Sequence, residues 1–159
     1  MPCMPALHSL QTNHLAFRRV LRVFLLLLAG FGFGGCSTIS THDRIAYEKA
    51  TSAKAAALSV MDKATASFAS KESIVTPLLL EVDQAYEYDR GRALNSITVR
   101  QWEILRARDG HLFGGFLRRW QERGSLRPAY ITEKKKDVAE AFDQIIQLER
   151  GKRLPSKTE

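Results

Sequence analysis

Between Asp43 and Ala69 small apolar residues return at helical spacing: Ala46, Ala50, Ala53, Ala57, Val60 and Ala64 alternate steps of four and three, with Phe68 near the end. The pattern predicts a long helix with a narrow seam, capped by Ser40 or Thr41. A second helix is announced by Thr76-Pro77, a capping residue followed by proline, with Leu79, Val82 and Tyr86 on one face. At Asp89-Arg90-Gly91-Arg92 the apolar stripe lapses, and it resumes at Ala93, Leu94 and Ile97. Either the helix ends there or it runs on with a polar patch turned inward. Thr98 is then placed to cap a short helix holding Trp102, Ile104 and Leu105, closed by Asp109-Gly110.

The most aromatic segment is HLFGGFLRRWQERG, in which Leu112, Phe113, Phe116, Leu117 and Trp120 share one helical face. Gly114 and Gly115 cost about 1 kcal/mol each against alanine, so they admit a neighbouring helix or aromatic ring or mark a kink. A phosphate-cradling loop is the competing reading, but the lysine and hydroxyl residues of such loops are missing here. Gly124 ends this helix, and residues 126–130 read as a connector around Pro128. Thr132 is predicted to cap a last helix with Val138, Phe142, Ile145 and Leu148 inward and Gly151 as its stop. No segment alternates as a strand does, so the fold class is all-α, a small bundle of four to five helices over residues 43–150 with a basic tail at 151–159. The alanine seam allows close backbone approach to another helix, inside the domain or in a helical protein partner.

The chain before this bundle has a different character. Arg18, Arg19 and Arg22 precede thirteen uncharged residues, Val23 to Gly35. A helix of that length spans roughly 20 Å, against about 30 Å of bilayer hydrocarbon. A core helix would carry a polar face, which Val23–Ala29 lacks, and Gly30, Gly32, Gly34 and Gly35 weaken any continuation. A positive flank, a short apolar run and small residues at its end are the marks of a secretory signal. Phe33-Gly34-Gly35-Cys36 resembles the lipobox of bacterial lipoproteins, with Phe33 where leucine is most frequent. That resemblance covers the leader and the first mature residues only. It implies removal of residues 1–35 as a signal peptide, diacylglyceryl transfer to Cys36, and usually acylation of the new amino terminus, as with palmitate. Residues 36–42 then form a lipidated tether. Ser37 after the cysteine goes with the periplasmic face of the outer membrane in such families from Gram-negative bacteria. An uncleaved anchor and an ordinary secretory signal are the alternatives.

Charge and chemistry narrow the function further. The net charge of +7 includes the three leader arginines, and without residues 1–35 the chain has 21 basic and 17 acidic groups. The two cysteines are Cys3 and Cys36, which excludes a disulfide framework and a cysteine-rich zinc site in the processed chain. His42 and His111 stand in no ligand spacing, and Glu81, Asp83, Glu87 and Asp89 read as the solvated side of a helix rather than as catalytic carboxylates. No catalytic, metal or cofactor constellation is predicted. Residues 90–128, however, carry nine arginines against three acids, whereas residues 36–89 carry five bases and eight acids. These arginines either pair with the acidic helices of the same domain or meet an external anion, for which Arg119, Arg123 and Arg127 are best placed. Anionic lipid, lipopolysaccharide and peptidoglycan are the candidate partners, and nucleic acid is not. The expectation is a lipid-anchored envelope protein that binds or scaffolds and is not an enzyme. The alternative is a periplasmic small-ligand carrier with an aromatic pocket near Trp102, Phe116 and Trp120. Replacing Cys36 by Ser is expected to abolish labelling by a lipid precursor and to block processing; unchanged labelling and mass would contradict the lipidation.

Overall fold

The computed structural model describes residues 39–152; the leader, Cys36 and the end of the basic tail lie outside them. Among the described residues five α-helices follow one another: α1 (Arg44–Met61), α2 (Glu72–Arg90), α3 (Ser96–Arg106), α4 (Phe113–Arg123) and α5 (Pro128–Arg150), with a short 3-10 turn at Phe68–Lys71. No strand occurs among the described residues, and the all-α bundle anticipated from the sequence is the fold.

Cross-links between the helices fix their directions. Asp43 meets Glu149, Lys54 meets Asp143 at 2.6 Å and Asp62 meets Lys135 at 2.6 Å, so α1 and α5 run antiparallel. Tyr88 reaches Asp43, Arg106 reaches Asp83 and Trp102 reaches Asp89, so α2 is antiparallel to both α1 and α3. Thr98 lies by Lys152 and Trp102 packs on Phe142, which sets α3 antiparallel to α5. The result is a closed four-helix arrangement of α1, α2, α3 and α5, with neighbours joined around the ring. Helix α4 closes one end. There Trp120 donates to the Ala66 carbonyl at 3.0 Å and stands edge-on to Phe68, while Phe116 stacks with Tyr130.

The alanine seam lies inside this ring. Ala46, Ala50, Ala53, Ala57, Val60 and Ala64 are all buried, so the close approach they permit is used within the domain. Helix α1 stops at Met61, short of the predicted Ala69, because the following backbone finds partners elsewhere: Leu126 N–H donates to the Ala64 carbonyl and Phe68 N–H to the Gly124 carbonyl, each at 2.8 Å. Its cap is Asp43, which accepts from Ala46 N–H, not Ser40 or Thr41.

Three more predicted caps are corrected. Helix α2 is entered through the 3-10 turn, so Pro77 sits inside it. The lost hydrogen bond falls on a side where Ser73 and Pro77 are both exposed to solvent. Thr98 is buried inside α3, which begins at Ser96. Helix α5 begins at Pro128 rather than after Thr132, since proline at the first helical position has a pre-set φ and gives up no bond. The polar lapse at residues 89–92 combines both predicted outcomes, because α2 ends at Arg90 and Asp89 is nonetheless turned inward.

The glycine pair admits the backbone of the end of α3 and of the turn that follows it, not an aromatic ring. A Cβ on Gly114 would overlap the Arg106 carbonyl, and one on Gly115 the Gly110 carbonyl, so α4 starts hard against the turn that leaves α3. Helix propensity alone would favour Gly115→Ala by about 1 kcal/mol. Overlap with fixed backbone reverses the sign, and a loss of about 1–3 kcal/mol is expected in chemical denaturation. A stabilised Gly115→Ala variant would contradict this packing.

Candidate functional site

Two polar constellations stand out, one at each end of the bundle. The first surrounds the start of α1 and the end of α5. Glu149 is only 1 % exposed, yet its carboxylate accepts from Arg92 at 2.9 Å, from the Lys152 ammonium at 2.5 Å and from the Asp43 N–H at 2.5 Å. Asn95, also buried, donates to Asp89 and accepts from Lys152 at 2.6 Å and from Ser40 at 3.1 Å. Asp89 takes further bonds from Arg92 at 3.0 Å and from the Trp102 indole at 2.7 Å. Among the described residues no buried side-chain nitrogen or oxygen lacks a partner. Burial opposes the charge of Glu149, but Arg92, Lys152 and the Asp43 N–H outweigh it and hold the carboxyl below its ordinary value. Asp43 is likewise held down, burial being overcome by the Ala46 N–H, the Tyr88 hydroxyl and Arg92.

Part of this network was missed in the sequence. Glu149 stands four residues after Ile145 and seven after Phe142, so helical periodicity alone puts it on the inward face. Lys152, assigned to the basic tail, is buried against it. Asp89 is interior rather than part of a solvated acidic side. The described part of the tether also packs on the domain: Ser40 N–H donates to the Leu94 carbonyl at 3.0 Å, and Arg92 donates to the Thr41 carbonyl at 2.6 Å. The cluster is saturated by its own members. Its arrangement fastens the chain entry to the bundle and leaves no open position for a ligand.

The second constellation is at the α4 end. Arg119, Arg123 and Arg127 line one groove of about 340 Å³ together with Ser125, Leu126 and Tyr130. At helical period Arg119 and Arg123 fall on the flank of α4 beside the Phe116–Trp120 face. Gly124, at φ 75°, turns the chain out of α4. Leu126 is anchored by its bond to Ala64, and Arg127 follows just before α5. Arg119 lies over the Tyr130 ring, 4.8 Å from its centre. Among the described residues, none of the three arginines forms an ion pair. Elsewhere in the arginine-rich stretch most arginines meet an acid of the same domain: Arg90 with Glu87, Arg92 with Asp89 and Glu149, Arg100 with Glu103, Arg106 with Asp83, and Arg118 with Glu122, while Arg108 donates to Gln121.

The aromatic residues named for a carrier pocket, Trp102, Phe116 and Trp120, are buried in the core. Trp102 packs on Phe142, while Trp120 packs on Phe68 and Phe116. A nearby cleft lined by Leu79, Val82, Arg106, Phe113 and Gly114 measures about 190 Å³, against the roughly 300–1,000 Å³ typical of small-molecule pockets. No group of three or more metal-ligating side chains occurs among the described residues, and no described helix is long and apolar enough to cross a membrane. No family model, curated protein or solved structure matches the chain.

The inner cluster makes stability depend on pH. A carboxyl held below its ordinary value when folded takes up its proton later than in the unfolded chain, so its contribution is full above the unfolded value and is lost as pH falls through the folded one. With ordinary values of 4.5 for Glu149 and 3.8 for Asp43, unfolding experiments are expected to show falling stability as the solution is acidified past that range. Glu149→Gln is expected to cost about 3 kcal/mol at neutral pH by leaving buried cations under-compensated. It should also flatten the acid slope. An unchanged slope in this variant would show that Glu149 is not the group responsible.

Proposed function

We propose that this is a lipid-anchored cell-envelope protein that binds an anionic component of the envelope through Arg119, Arg123 and Arg127. One observation carries the proposal: three arginines, widely available to pair within an acid-containing domain, share a groove without an acid. Guanidinium groups are weakly hydrated and planar, and they present paired donors that match carboxylate and phosphate oxygens. Like charges four residues apart, as Arg119 and Arg123 are, disfavour an isolated helix. An external anion relieves that repulsion.

The position of the groove favours one class of ligand. Tyr130 is near the start of α5, whereas the tether is fastened at Glu149 near its end, so about 30 Å of helix separates them. Anchored through Cys36, the domain would hold the groove away from its own bilayer. Peptidoglycan carboxylates fit that placement better than the headgroups of the anchoring leaflet. The aromatic residues named for a carrier pocket are packed in the core, and the alanine seam is covered within the domain rather than offered to a helical partner.

Replacing Arg119, Arg123 and Arg127 together by Gln is expected to weaken co-sedimentation with peptidoglycan at low salt and to leave the melting temperature nearly unchanged. Added salt should weaken the wild type in the same way. Retained binding with a lowered melting temperature would make the three arginines structural and refute the site. Arginine-dependent capture by anionic vesicles, with none by peptidoglycan, would reassign the ligand to lipid.

A further inference from the structure

We infer that an apolar patch at the tether end of the domain, built from Ile39, Leu94, Ile97 and Leu148, is a face that rests on the anchoring bilayer. This rests on the reading of Cys36 as the site of lipid attachment. Ile39, Leu94 and Ile97 are large aliphatic side chains left 49 %, 56 % and 53 % exposed, and such residues are informative when they share a patch rather than stand singly. They are linked through the fold: the Leu94 carbonyl accepts from Ser40, the neighbour of Ile39, and Ile39, Ile97 and Leu148 line one groove of about 470 Å³.

The rest of that groove suits a lipid interface. Its polar lining is Gln101, Gln144, Gln147 and Lys152, with no carboxylate, and the Lys152 ammonium is already engaged by Glu149. Nothing in it repels an anionic headgroup, and no unpaired charge has to be dehydrated on contact. Leu94 adds an independent sign. It is the non-glycine residue with positive φ among the described residues, at 58°, a conformation that bulky side chains avoid. A strained backbone that presents leucine to solvent points to a role for that side chain outside the fold.

Reach selects the bilayer as the occupant. Ile39 is the third residue after Cys36 along the chain, which at full extension is about 11 Å. An acyl group on Cys36 therefore brings the headgroup region within touching distance of Ile39. A second insertion of apolar side chains beside the acyl chains adds buried area to the same attachment and restricts how the domain tilts.

The test uses the full acylated protein in vesicles, with an environment-sensitive fluorophore on Ile97→Cys or, as a control, on Leu80→Cys, which is 58 % exposed on α2. Both positions are at the surface, so both variants should keep the wild-type melting temperature. The expected result is blue-shifted emission at position 97 that nitroxide-bearing lipids quench, with unshifted, unquenched emission at position 80. Equal aqueous emission at both positions in protein that floats with the vesicles and has the acylated mass would overturn the docking face alone. A shielded label at 97 that lipid nitroxides do not quench, with a dimer by mass, would assign the patch to a second copy and overturn it too. Protein lacking the acyl mass and failing to float would overturn the anchor and the face together.

Discussion

A buried carboxylate with two cations around it organises this domain. Glu149 receives Arg92 from the turn after α2, Lys152 from the end of its own helix and the Asp43 N–H that opens α1. Asn95 and Asp89 extend the network to the start of α3 and the end of α2. All four helices of the ring thus converge on one set of polar atoms. Burying ions costs several kcal/mol each, and a well-packed apolar replacement of such a cluster is often equally stable. Its distinctive effect is to fix which helix ends meet. An apolar end would pack in several ways, whereas this one satisfies its hydrogen bonds in one arrangement.

The opposite end is ordered by different means. Phe113, Phe116, Leu117 and Trp120 bury the inner face of α4. The two glycines let its first turn press on the chain that precedes it, and Gly124 turns the chain back toward α5. Because those apolar contacts hold α4 down, its outer flank is free to carry repelling charges. The bundle therefore differs along its length: an ionic cluster paired within itself where the chain enters α1, and an opposite end where, among the described residues, Arg119, Arg123 and Arg127 form no ion pair.

Much of this was legible in the sequence. The alanine spacing, the Phe116–Trp120 face and the Val138–Ile145 stripe each follow from a helical period, because burial imposes that period on apolar residues. Angular position on α4 likewise separates Arg118, which pairs with Glu122, from Arg119 and Arg123, which do not. Helix starts were less legible. Thr76, Thr98 and Thr132 each satisfy a local rule for a cap, but the long-range bonds of Leu126 and Phe68, the 3-10 entry to α2 and the proline at 128 decide where the helices begin and end. The ionic cluster was hidden for a related reason. Its members are far apart in the chain, and each alone resembles an ordinary surface charge.

The most direct measurement is nuclear magnetic resonance of the arginine side-chain N–H groups during titration with soluble peptidoglycan fragments. If the α4 groove is the anion site, the signals of Arg119, Arg123 and Arg127 shift together and saturate, while those of Arg92 and Arg106, held by Glu149 and Asp83, stay in place. Shifts spread evenly over all arginines, or confined to those outside the groove, would contradict it.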